Sequence, residues 1–138
     1  GGKIINIGSL TSTIGLADVS VYGMTKGALA QLTKTMAVEW AQHNVQVNCL
    51  SPGETYTHMT DQVLAAGDRA GWREIDAARQ VRMTGGVPAE RPKELALFLA
   101  SNQSNHVTGR MIHVDDDWKK FKEKSINPEL YRLRRHQK

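Results

Sequence analysis

Cysteine is nearly absent from this sequence of 138 residues, where Cys49 stands alone. An intrachain disulfide is excluded, and with it the small folds that depend on covalent staples. Long apolar runs are missing as well. The longest, "LALFLA" at 95–100, falls far short of the roughly 20 residues that a membrane-spanning helix needs. The opening "GGKIINIG" has neither an initiator Met nor a charged segment followed by an apolar one, so it does not read as a secretory leader. It enters a strand-like run by its third residue and reads as the start of a piece of a longer chain. What is present, 40% hydrophobic and 23% charged residues, suits a folded globular protein and not a disordered one. The lone thiol fits a reducing setting, and a cytoplasmic location is expected.

Charge is unevenly spread. Residues 118–138 carry eight Lys/Arg against Glu123 and Glu129, a balance of +6. The other 117 residues hold ten basic and twelve acidic side chains, a balance of −2, so the net +4 describes a tail. The expected organisation is therefore a body over 1–117 and a basic C-terminal tail over 118–138. Eight cations can make salt-sensitive phosphate contacts, yet only Trp118, Phe121 and Tyr131 are there to stack on bases. The tail is read as solvated, or as reaching across a subunit interface, and not as a nucleic-acid site.

The pattern alternates between strand and helix. "KIINI" (3–7) is a β-branched run closed by Gly8 and Ser9, and "LTSTIGLADVS" (10–20) reads as a loop. From about Val21 to His43, Leu29, Leu32, Met36 and Trp40 recur at steps of three and four, an apolar helical stripe. "NVQVNCL" (44–50) is a second strand, stopped by Ser51-Pro52-Gly53. Helices are expected over about 59–66, 71–82 and 92–101, and a third strand over 110–114. Alternation of this kind implies parallel pairing with helices on the faces. Three strands are few for a doubly wound sheet, so the expected fold is α/β, the C-terminal half of a Rossmann-like doubly wound parallel sheet.

Within that frame, "YGMTK" places Tyr22 and Lys26 one helical turn apart on one face. Ser9 follows a strand thirteen residues earlier, and "NCLSPGETYTHM" leaves another strand about thirty residues later. Both lie past strand ends, on the rim where open parallel sheets bind ligands. Taken together, "KIINIGS", "YGMTK", "NCLSPGETYTHM" and "FLAS…VTG…HVD" resemble the short-chain dehydrogenase/reductase family over about residues 1–118.

The resemblance implies an oxidoreductase that moves a hydride between NAD or NADP and an alcohol or ketone. Tyr22 matches the acid/base that exchanges a proton with the reacting oxygen. A free phenol keeps its proton to pH ~10, so such a role calls for a nearby cation that favours the phenolate. Lys26 matches that cation and also the residue that holds the cofactor ribose. Ser9 matches the residue that hydrogen-bonds the reacting oxygen. Tyr22, Lys26, Pro52, Gly53, Thr55 and Thr57 are the positions implied to meet the cofactor, with Thr57 also suited to an N-cap. Asn48 is expected to hold backbone; residues 59–82 take the place of the family's substrate lid, with Trp72 in it or Met83 just beyond it expected to border the substrate. The family's dimers or tetramers imply an oligomer paired through the Tyr22–Lys26 helix and the last strand.

Two departures stand out. No Gly-x-Gly-x-x-Gly turn occurs in the 138 residues, so these residues alone are expected to bind the nicotinamide cofactor weakly or not at all. "HVDDDW" sets Asp116 and Asp117 where the family usually has glycines, and the run is read as solvated charge, with no metal. The competing reading is a non-catalytic scaffold or binding protein on the same incomplete fold, against which an intact Ser9, Tyr22 and Lys26 weigh.

Overall fold

The alternating run near residue 45 becomes the central strand of a three-stranded sheet. The structure is a computed structural model, and it describes residues 1–122. Strand β1 (Gly2–Ile7), β2 (Val45–Ser51) and β3 (Met111–His113) pair in parallel in that order. Registers run Gly2↔Val45 to Ile7↔Leu50, and Cys49↔Met111 to Ser51↔His113. β2, paired on both edges, is buried almost throughout, whereas β1 is half-buried.

Side chains alternate across the sheet, so each face of β2 meets a different layer. Leu50 and Ile5 face helix α4 (Glu90–Ala100) and share a core with Leu95, Phe98, Leu99, Val107, Ile112, Trp118 and Phe121. Pro92 sits in the first turn of α4, where its missing N–H costs no helical bond. Asn6 and Cys49, register partners, lie toward helix α1 (Ser20–Glu39), where the Asn6 amide donates to Thr33 Oγ1 at 2.9 Å.

The buried side of α1 differs from the expected stripe. Ala30, Thr33 and Ala37 face inward, while Leu32 is 49% exposed and Trp40 37%. The layer between helix and sheet is built of small groups, so bulky residues are turned to its flanks. The helix also ends sooner than expected, with Trp40 as C-cap and a 3-10 turn over Ala41–His43 that Asn44 closes in the left-handed conformation, φ 54°.

Asn48 does hold backbone. Fully buried, it donates from Nδ2 to the Val107 carbonyl (2.9 Å) and accepts at Oδ1 from the Arg110 N–H (3.1 Å). The Thr108 hydroxyl accepts from the Val47 N–H. These bonds stitch 107–110 to β2 ahead of the short β3.

The boundary drawn at 117/118 falls inside the packed body. Trp118 and Phe121 are 3% exposed and belong to the α4 core, with Trp118 5.5 Å from the Phe98 ring. Two of the three aromatics counted as free to stack are thus committed to the interior. Tyr131 and the remainder of the basic segment lie outside the described residues. The Asp115–Asp117 run does not converge on one point: Asp115 pairs with Arg91 (2.8 Å) and lies 3.5 Å from His113 Nδ1, Asp116 Oδ2 accepts from the His113 N–H (2.7 Å), and Asp117 pairs with Lys120.

Candidate active site

Parallel strands deliver their C-terminal ends to one rim, and the residues after β1 and β2 gather there. Ser9 is two residues past β1. It N-caps a 3-10 turn over Leu10–Ser12, with its N–H donating to Ser12 Oγ (3.2 Å) and its Oγ accepting from the Thr11 hydroxyl (3.0 Å) and N–H (3.3 Å). The segment expected to be loop therefore opens with a cap whose signal, Ser9-x-x-Ser12, is legible in the sequence. The Thr11 and Ser12 carbonyls lie against Gly23 and Gly27 of α1, which brings the Ser9 turn to the helix that carries Tyr22.

Tyr22 lies in the first turn of α1 with 40% of its surface exposed, open to a ligand. Lys26 follows one turn later. Its ammonium stands 5.6 Å from the centre of the Tyr22 ring and donates to the Ile7 carbonyl at 2.9 Å. That bond uses one of three N–H groups and leaves two for a second partner. Nothing in the sequence pattern pointed to the Ile7 carbonyl, because a backbone acceptor carries no residue signature.

After β2, Pro52 and Gly53 turn the chain away from the sheet. Gly53 has φ 73°, and a Cβ there would stand 2.9 Å from a Val87 methyl and 3.1 Å from one of Val114. Only glycine suits that position on both counts. Thr55 forms an isolated antiparallel bridge with Gly86 and donates its hydroxyl to the Val87 carbonyl (3.0 Å). Thr57 N-caps α2 (His58–Ala66), its own N–H donating to Thr60 Oγ1. Thr55 thus serves the neck from which α2 and α3 (Trp72–Thr84) project.

The α2–α3 excursion presents Met59, Trp72 and Met83, each more than 60% exposed. Its second helix begins beside the loop after β1, where the Asp18 side chain fills the space next to Gly71. Tyr56, in the neck, donates to Asp61 (2.9 Å), and that bond to a carboxylate holds the phenol above its ordinary pKa. Under the rim, burial pushes the Cys49 thiol up, so it stays protonated and inert at neutral pH.

The residues fit the nicotinamide end of a dinucleotide. A lysine with two spare donors, a hydroxyl, an exposed phenol and a turn without a Cβ meet at one rim. A glycine-rich turn for the pyrophosphate is not among the 138 residues.

Known proteins resemble this chain in sequence and in fold. A family model described as "Enoyl-(Acyl carrier protein) reductase" matches residues 1–116. The chain is 40% identical over 124 residues to a 2-dehydro-3-deoxy-D-gluconate 5-dehydrogenase of Dickeya dadantii, covering 86% of this chain and 45% of that protein. It is 36% identical over 116 residues to a gluconate 5-dehydrogenase of Gluconobacter oxydans, covering 83% and 43%. Among solved structures, a gluconate 5-dehydrogenase of Burkholderia cenocepacia, in complex with NADP and tartrate, superposes with a TM-score of 0.65. Identity there is 32%, and the match covers 83% of this chain and 43% of that one. These are α/β proteins of the Rossmann-like class, and this chain shares their parallel sheet and flanking helices. It belongs to the short-chain dehydrogenase/reductase family. The chain spans less than half the length of the curated relatives it matches.

Proposed function

We propose that the protein of which these residues are part transfers a hydride between NAD(P)(H) and a secondary alcohol or ketone. The observation that carries this reading is Lys26, held by the last carbonyl of β1 at one turn from an exposed Tyr22. The nicotinamide cofactor, when bound, supplies or accepts the hydride.

The chain's own residues handle the proton and the geometry. Tyr22 gives its phenolic proton to the oxygen of a ketone undergoing reduction, and takes it back in the oxidation direction. Lys26 donates one N–H to the Ile7 carbonyl, and its two remaining N–H groups are available to the ribose hydroxyls. Ser9 Oγ already accepts from Thr11, which leaves its own proton free to donate to the substrate oxygen. Pro52, Gly53, Thr55 and Thr57 form the wall beside the nicotinamide.

Relatives named for gluconate and keto-gluconate make sugar acids the first substrates to try. A homodimer or homotetramer and a cytoplasmic setting complete the proposal. In support of pairing, Val21, Met24, Leu32 and Val38 leave one side of α1 apolar and exposed. No helix among the described residues is long and apolar enough to cross a membrane.

The test is an absorbance assay on the whole protein, with NADH and NADPH, against 5-keto-gluconate and related ketones. Turnover that disappears in Tyr22→Phe is the expected result. Turnover that survives this change removes Tyr22 from the mechanism.

A further inference from the structure

Gly8 separates the two groups of the β1 end on which the site depends. On one side is Ile7, whose carbonyl holds the Lys26 ammonium. On the other is Ser9, whose hydroxyl meets the reacting oxygen in the reading above. Glycine is not needed here for its backbone freedom, since Gly8 is absent from the positive-φ positions. The reason for a bare Cα lies across the sheet. A Cβ on Gly8 would stand 2.4 Å from Cys49 Sγ and 3.3 Å from Ser12 Oγ.

Neither neighbour yields readily. Cys49 is 0% exposed, on the central strand, with its thiol against the Thr33 hydroxyl of α1. Thr33 is itself fixed, accepting from the Asn6 amide and donating to the Leu29 carbonyl, each at 2.9 Å. Ser12 is engaged by the Ser9 N–H. The Gly8 N–H donates to the Leu50 carbonyl at 2.8 Å, which carries the sheet pairing one residue past β1. The sulfur thus fills the gap between α1 and the sheet beneath the site, and the Ile7–Ser9 segment rests on it.

We propose that Gly8 and Cys49 are an interlocked pair of positioning residues that set where the Ile7 carbonyl, and so Lys26, and the Ser9 hydroxyl stand relative to Tyr22. Neither residue touches substrate. Their role is the depth at which the β1 end sits between α1 and β2. The proposal rests on the Ser9–Tyr22–Lys26 reading for its catalytic meaning and on the contact geometry alone for the interlock. A serine at position 8 would fit only beside a smaller residue at position 49.

Gly8→Ala, Cys49→Ala and the double variant, made in the full-length protein, test this as a cycle. Two readouts are taken: amide hydrogen exchange over Ile7–Ser12 and around Lys26, and kcat and KM measured separately. Gly8→Ala is expected to speed exchange at the segment by about tenfold or more. It is also expected to lower kcat by about 10- to 100-fold with little change in KM, the mark of displaced reacting groups. Adding Cys49→Ala makes room for the methyl and is expected to restore both.

A Gly8→Ala protein that exchanges and turns over like the wild type overturns the interlock, and so does a double variant no better than Gly8→Ala alone. If Gly8→Ala does not fold, a folded double variant with wild-type exchange at Ser9 and Lys26 supports the pair, and an unfolded one overturns it. A wild type without turnover on any ketone sinks the functional reading, while the exchange comparison still decides the interlock.

Discussion

The Lys26 ammonium is bonded to the carbonyl oxygen of Ile7, 2.9 Å away, so the helix that carries Tyr22 is tied to the end of β1. This tie separates the roles of the two residues. Tyr22→Phe removes one exposed hydroxyl and should shift stability by no more than about 0.5 kcal/mol, while turnover falls by about 10²- to 10⁴-fold. Lys26→Ala should also raise the KM for the cofactor, because the proposed ribose contact and the tie to β1 are both lost. Steady-state kinetics with thermal unfolding measure the two effects apart.

Asn48 predicts a purely structural phenotype. Asn48→Ala leaves the buried Val107 carbonyl and Arg110 N–H without the partners seen here. At about 1–3 kcal/mol for each of the two orphaned groups, unfolding in urea should show a loss of about 2–6 kcal/mol. A loss under 1 kcal/mol would mean that 107–110 is held by other bonds.

Trp118→Ala is expected to cost about 3–5 kcal/mol, as large-to-small changes at buried aromatics do. Its ring is 3% exposed and packs on Phe98. A chain ended after Asp117 should be destabilised at least as much, whereas a chain ended after Lys122 keeps the whole described core. Thermal melts of the two truncations decide where the body stops.

Tyr56 carries a pH dependence of known sign. Its phenol donates to the Asp61 carboxylate, which raises its pKa above the ordinary 10.0. The folded chain therefore holds this proton more tightly than the unfolded one. Its contribution to stability is complete below pH ~10 and is lost as pH rises through the elevated value. Asp61→Asn should bring the tyrosinate absorbance transition of Tyr56 back down. An unmoved transition would show that the bond does not control the phenol.

Association through α1 is tested by Met24→Glu. Met24 is 66% exposed, between Val21 and Leu32 on the outer side of the helix. Sedimentation should report a smaller assembly for the variant, and an unchanged mass would place the subunit contact elsewhere.

Much of this molecule is legible in its sequence, and the reasons differ by residue. Tyr22 and Lys26 are legible because a one-turn spacing and their chemistry are both written in the chain. Asn48 is legible because an amide inside a β-branched strand must find backbone partners. The buried side of α1 is not, since periodicity marks large apolar residues while the sheet selected Ala30, Thr33 and Ala37 by their small size. The end of the body is obscured by the lysines around Trp118 and Phe121, which outweigh two core aromatics in any count of charge. The support of Lys26 by Ile7, and of Gly8 by Cys49, depends on atoms that no residue pattern encodes.

The neck beneath α2 and α3 has a consequence for how such a protein can change. The Val87 N–H donates to the Glu54 carbonyl at 2.8 Å and the Tyr56 N–H to the Gly85 carbonyl at 3.3 Å, so residues 57–84 leave and rejoin the body at a single clamp. Because the clamp fixes both ends, lengthening the excursion adds only a slowly growing closure cost, about 0.6 kcal/mol per doubling. The register of β1 on β2 and the Lys26–Ile7 tie lie outside it. Residues 58–84 are in effect an exchangeable fitting: their length and sequence can change without moving the register of β1 on β2 or the bond between Lys26 and Ile7.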